Sequence, residues 1–304
     1  SEDLVLFAHH SMYFNMRFQE LESITSMLGV ESKEQLYVEL PAPTALDDTP
    51  IVRVRLPSDA AALALCARSV LIKAVLEVWA QGTTFEDAVE NGLAQGDSAR
   101  ARRRVFLAPP LTFQIRVEAF GRTMEMSEKR AVIEGLRPLF NGDEVASLTD
   151  PSTTVWALAE HDHRTELKTH LGPRGHAPRR TLIARQVAAG RSIDKKLKSG
   201  EKAFFQKYDL AQRAVLGPTT LDNELAFIMA NCARAREGVL ALEPFCGTGG
   251  IMVALSHFGT RVMGGEIDIR VVKGWSIAYT KNKDAVLRVA KERGLIPMDA
   301  PAPA

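Results

Sequence analysis

Between Val239 and Asp268 the chain runs through an apolar stretch, VLALEPF, a glycine turn, CGTGG, a second apolar stretch, IMVALSHFG, and a run that ends in acid, RVMGGEID. No other part of the chain restricts the fold so far. A strand, a glycine turn, a helix and a further strand make a βαβ unit, whose ligand site lies where the strand ends meet the helix N-terminus. Gly247 and Gly249 permit close backbone approach there, and the helix start offers unpaired N–H groups to a carboxylate or phosphate. Glu266 follows about 20 residues on, where an acid can accept hydrogen bonds from ribose hydroxyls. Gly249 and Gly250 are adjacent, so the dinucleotide fingerprint fails and the pattern turns toward S-adenosylmethionine.

The chain has 304 residues, 46% hydrophobic and 25% charged, which favours two or three folded domains over disorder. No apolar stretch reaches the about 20 residues of a membrane helix, and the start, SEDLVLFAHH, lacks a basic region and a long apolar core, so a cytoplasmic protein is expected. Cys66, Cys232 and Cys246 have no metal-like spacing. His161, His163, His170 and His176 share a polar connector without a helical i, i+4 pair, which argues against a metal site. The net charge is only +1, but arginines cluster at Arg100, Arg102, Arg103 and Arg104, and basic residues recur between Arg174 and Lys202, including Arg179, Arg180, Lys195 and Lys196. Such runs are either solvated connectors or phosphate-binding surface.

Apolar positions at Phe14, Phe18, Leu21, Ile24 and Leu28 predict a helix stopping at Gly29. IVRVRL alternates as a strand, Ser58 can cap a helix through Cys66, and VLIKAVLEVWA is a buried strand or helix. Thr84 can cap FEDAVENGL, TFQIRVEAF is a half-buried strand, Ser127 starts the helix EKRAVIEGLRPL, and TVWALAE is a strand. Trp79 and Trp156 lie in apolar runs and belong to the core. A polar linker is expected between Thr165 and Ala188. A helix over Leu221 to Ala235 would bury Leu225, Ile228, Met229 and Cys232 on one face. KGWSIAYTKNKDAVLRVAKERGL reads as a basic helix, and PMDAPAPA as a disordered tail.

GPTTLDNELAFIMANCA followed by LEPFCGTGGIMVALSHFGTRVMGGEIDIR resembles the methyltransferase domain of the tRNA guanine-10 N2-methyltransferase family, THUMP-containing and of the eukaryotic type. RSIDKKLKSGEKAFFQKYDLAQRAVLG resembles the connector into that domain, and the region from FQIRVEAFGR to TVWALAE its THUMP region. The resemblance implies an α/β protein: an N-terminal ferredoxin-like layer over 1–82, a THUMP-like RNA-binding domain over 83–180, a linker over 181–216, the front part of a Rossmann-type methyltransferase domain over 217–298, and a disordered tail over 299–304. Glu243, Pro244, Phe245, Gly247, Thr248 and Gly249 match the motif around the methionine part of S-adenosylmethionine, and Glu266 matches the ribose-binding acid. Glu243 and Glu266 stand where the family more often has Asp. Thr219, Thr220 and Asp222 match the motif that helps to close the pocket, although Asp222 could equally be a helix cap.

The resemblance further implies tRNA as substrate and a small zinc-binding activator subunit as partner, and with such a substrate Arg102, Arg103, Arg104, Arg179, Arg180, Lys195 and Lys196 are expected to bind RNA through its phosphates. Such enzymes hold the target base with an Asp/Asn-Pro-Pro-aromatic motif after the fourth strand. Here the only Pro-Pro pair, Pro109-Pro110, lies upstream in LAPPL, so the chain is expected to stop before that motif and not to methylate tRNA by itself. A non-catalytic tRNA-binding protein and an S-adenosylmethionine binder with another substrate remain the competing readings.

Overall fold

The computed structural model describes residues 2–7, 11–40, 49–161, 177–190, 203–210, 220–269, 271 and 291. The helix expected over 273–295, with Trp275, and the tail lie outside them, apart from Lys291.

The chain opens with strand β1 (Glu2–Phe7), then helix α1 (Arg17–Met27), the short α2 (Lys33–Leu36), β2 (Ile51–Arg55) and α3 (Asp59–Arg68). Next come β3 (Ile72–Gly82), α4 (Phe85–Ala94), α5 (Gly96–Leu107), β4 (Thr112–Phe120), α6 (Met126–Gly135), β5 (Val145–Ala146), β6 (Thr153–Glu160) and β7 (Arg180–Ala189). The last part holds a 3-10 turn (Phe204–Tyr208), α7 (Asn223–Cys232), β8 (Leu240–Glu243), α8 (Gly250–His257) and β9 (Arg261–Gly264). Two compact units result. One comprises Ser1–His10, Val30–Ala67 and Ile72–Gly190; the other Ser11–Gly29, Arg68–Leu71 and Arg191–Ala304.

The first unit is built on a seven-stranded sheet in the order β2-β1-β3-β7-β6-β4-β5. β4 pairs in parallel with β5 and β6, and the other pairs are antiparallel. The sheet runs through both stretches expected as separate domains, because β7 pairs with β3 on one side and β6 on the other. β6 is buried along its whole length, and the two-residue period of a strand divides it between two cores. Val155 and Ala157 join Trp79, Ala88, Leu107 and Leu136 on one side, while Trp156 and Leu158 join Leu4, Leu76 and Phe120 on the other. Local capping matches the sequence expectation at two helices: Thr84 and Asp87 close a capping box on α4, and the Ser58 hydroxyl accepts from the Ala61 N–H at 3.2 Å. At α6 the cap is Glu125 rather than Ser127.

Three expectations need correction. The linker placed over 181–216 begins too early, since Arg180–Ala189 is a strand between β3 and β6. Its alternation sends Ile183 to one core and Leu182 and Ala184 to the other. The arginine cluster forms α5 and is no flexible connector. On α7 the buried residues are Ala226, Phe227, Ile228, Ala230 and Asn231, and Met229 is exposed.

α1 forms as the apolar spacing requires, yet it belongs to the second unit with α7. Its Glu20 is fully buried, and the carboxylate accepts from Ser69 Oγ at 2.7 Å, Val70 N at 2.8 Å, Leu71 N at 2.9 Å and Asn231 Nδ2 at 2.7 Å. A buried donor stripped of its acceptor costs about 1–3 kcal/mol. Glu20→Ala would strand several at once. Hydrogen exchange should therefore show protection of the α7 amides reduced by about 100-fold or more, with the β6 and β7 amides unchanged; retained α7 protection would contradict this role.

Candidate functional site

β8 and β9 lie side by side in parallel, with Leu242 opposite Met263 and Glu243 opposite Gly264, and α8 connects them. The ladder continues past the strands: Gly265 N donates to Glu243 O at 2.8 Å, and Cys246 N donates to Gly265 O at 2.8 Å. The chain leaves β8 through a turn at Pro244 and Phe245, the latter 87% exposed. Gly249 then starts α8 with a left-handed backbone, φ +82°, and its N–H closes the turn on Cys246 O at 2.7 Å. Gly247 is also left-handed, φ +50°, and a Cβ there would meet nothing within 4 Å. Both conformations favour glycine, and they leave open space above the backbone.

Glu266 reaches back across this turn. Its Oε2 accepts from Gly247 N at 2.8 Å and its Oε1 from Asp268 N at 2.9 Å, while Glu243 Oε1 accepts from Phe245 N at 3.1 Å. An acid at the end of the second strand and the first glycine of the turn are thus brought together. From the other side, the Thr220 and Thr248 hydroxyls lie 3.2 Å apart. Asp222 caps α7 by accepting from Leu225 N at 3.2 Å. Thr219 lies outside the described residues. One contributor escaped sequence reasoning: a Cβ on Gly264 would stand 2.6 Å from Met252 Sδ and 2.9 Å from Cys246 Sγ, so β9 packs against the turn only as glycine. The second glycine pair, Gly264-Gly265, was the available signal.

Among the described residues the basic candidates are not all exposed. Arg102 is exposed on α5. Arg103, expected to bind RNA, is only 4% exposed; its Nη2 donates to Gly92 O at 3.2 Å and its Nε has no hydrogen-bond partner. It points into the fold and is withdrawn as a phosphate contact. Arg104 grips Asp143 with both guanidinium nitrogens, at 2.7 and 2.6 Å, and Arg100 donates to Asn141 at 2.7 Å. Arg179 is exposed, whereas Arg180 donates to the buried Glu160 at 2.7 Å. Lys195 and Lys196 lie outside the described residues, as do His163, His170 and His176. Among the described residues no His, Cys, Asp and Glu side chains gather as a metal site, and no helix is long and apolar enough to cross a membrane.

The sheet and the glycine-turn unit define a two-part protein, a THUMP-type module joined to a Rossmann-like methyltransferase unit. The family model "Tmrp11 THUMP N-terminal domain" matches residues 2–192, more than half of the chain, and "RMKL-like, methyltransferase domain" matches 211–296. The chain belongs to the Tmrp11 THUMP family. Among curated relatives it is 30% identical over 271 residues to tRNA (guanine(10)-N(2))-methyltransferase TRMT11 of Dictyostelium discoideum, covering 86% of this chain and 50% of that protein. It is 28% identical to the Rattus norvegicus TRMT11, covering 92% and 54%, and 27% identical to the Saccharomyces cerevisiae tRNA (guanine(10)-N(2))-methyltransferase, covering 86% and 54%. The chain thus spans about half the length of the curated relatives it matches.

Burial holds the Arg103 pKa below its ordinary value, helped by Arg100 and Arg102. A buried cation with incomplete hydrogen bonding is replaceable by an apolar chain of similar length at little cost. Arg103→Met should leave the stability of the first unit unchanged or raise it, read by urea unfolding; a loss above about 1 kcal/mol would show the guanidinium to be a net stabiliser.

Proposed function

We propose that this chain carries the RNA-binding and cofactor-binding parts of a tRNA guanine-N2 methyltransferase acting at guanine 10, with S-adenosylmethionine as methyl donor. The observation that carries this is the meeting of Glu266 with the Gly247 N–H at 2.8 Å. It puts an acceptor for ribose hydroxyls beside a turn left open by Gly247, where no atom lies within 4 Å of a Cβ position. These residues fit an adenosyl cofactor. Gly247 and Gly249 would cradle its methionine part, Thr220 and Thr248 would close the side of the pocket, and Glu266 would turn from its backbone donors to the ribose. When bound, the cofactor supplies the methyl group. The protein's own contribution is orientation and water exclusion, since in-line displacement depends on alignment more than on a strong base. The names of the relatives support the tRNA substrate and the guanine position, and the family resemblance supports a small zinc-binding activator subunit as partner.

Glu266→Ala should weaken S-adenosylmethionine binding by about 1.5–3 kcal/mol, the worth of a hydrogen bond to a charged group. Calorimetry giving wild-type affinity for this variant would remove the site.

We propose tRNA binding through phosphates, with Arg102 and Arg179 of the first unit as exposed contacts and Lys195 and Lys196, which follow that unit in sequence, as further candidates. Arg102→Ala should reduce the salt slope of tRNA binding by about one and weaken binding evenly across sequences. Filter binding between low and moderate salt tests it; an unchanged slope would take Arg102 out of the interface.

A further inference from the structure

The residues that hold the pocket-closing stretch in place come from the other end of the chain. Thr220, whose hydroxyl lies 3.2 Å from that of Thr248 in the glycine turn, stands two residues before Asp222, the cap of α7. The first turn of α7 is in turn gripped by Ser11, whose hydroxyl donates to Glu224 Oε1. The same Ser11 oxygen accepts from Tyr13 N at 3.2 Å, which folds the chain so that the Tyr13 ring packs against the core formed by Phe227, Ile228 and Leu255. Ser11 and Tyr13 are about 200 residues away in sequence from the turn they approach, in the same compact unit. Burial raises the Tyr13 pKa, and the Asp222 and Glu224 carboxylates raise it further.

From this geometry we infer that Ser11 is a positioning residue of the cofactor site: it fixes the N-terminal turn of α7, and through it the Thr220 hydroxyl against Thr248. It does not touch the glycine turn itself. Its effect is to remove freedom from the stretch that closes on the cofactor, so binding does not have to order it. The inference rests on the reading of the glycine turn as an S-adenosylmethionine site.

The test uses the full chain and calorimetry with S-adenosylmethionine on the wild type, Ser11→Ala, Ser11→Thr and Glu266→Ala. The expected result is a Kd raised about three- to tenfold in Ser11→Ala, the scale of one ordinary hydrogen bond. The unfolding midpoint should stay within about 2 °C of wild type, and Ser11→Thr should restore affinity. Wild-type affinity in Ser11→Ala, together with weakened binding in Glu266→Ala, overturns the positioning role and leaves the site standing. Affinity lost only in step with stability, and not restored by Ser11→Thr, overturns it as well by showing a purely structural part. Unchanged binding in Glu266→Ala, or none in the wild type, removes the site and the inference with it.

Discussion

A carboxylate with no access to water must find donors or unfold its surroundings, and in the second unit Glu20 imposes that condition on two other stretches of chain. It takes backbone N–H groups from Val70 and Leu71, a hydroxyl from Ser69 and the amide of Asn231. Asn231 passes the constraint on: its Oδ1 accepts from Arg68 Nε at 2.8 Å and its Nδ2 donates to Arg68 O at 3.1 Å, while the Arg68 guanidinium lies 3.9 Å over the Phe258 ring. Burial pushes the Glu20 carboxyl above its ordinary range, and the four donated hydrogen bonds pull it back only in part. A raised folded value means that the fold favours the neutral acid more than the unfolded chain does. The stability linked to this titration is therefore present below the ordinary carboxylate range and is lost as pH rises through the folded value. The hydrogen-bond network is a separate matter, because the donors need an oxygen in either protonation state.

This network explains why the division of the chain was only partly legible. The apolar spacing of Phe18, Leu21 and Ile24 is sufficient to form α1, because a helix is a local event. Its partner is not local, and nothing in SITSMLGV says that the helix packs beside residues two hundred positions later. The same limit hid β7. Its alternation in TLIARQVAA sits between basic stretches, and a strand buried on both faces by residues from Leu4 to Leu158 shows only a short apolar run to a reader of sequence.

The candidate site was more legible because its determinants lie close together. A glycine turn and an acid at the end of the next strand are readable as spacing, and the structure joins Gly247 and Glu266 directly. The arginine cluster was the reverse case. Arg102, Arg103 and Arg104 are neighbours in sequence, but a helix turns each about 100° from the last, so one faces solvent, one faces the core and one reaches Asp143. Charge runs on helices divide in this way, and a count of basic residues overstates the surface they present.

The glycine turn owes its position to one side of its own small sheet. Ala241 and Val262 face inward with Ile251 onto the core of Phe227, Ala254 and Leu255, whereas Leu240, Leu242 and Met263 are 65%, 68% and 59% exposed. Parallel strands ordinarily bury both faces, so here the inward face has to fix β8 and β9 by itself among the described residues. That inward face rests on α7 and α8, and α7 is held at one end by Ser11 through Glu224 and at the other by Glu20 through Asn231. A stretch that the family resemblance places in an N-terminal layer is physically part of the scaffold that sets where the turn can stand. Any cut that removes residues 11–29 from residues 203–269 would separate the turn from two of the contacts that orient α7, even with every glycine and Glu266 retained.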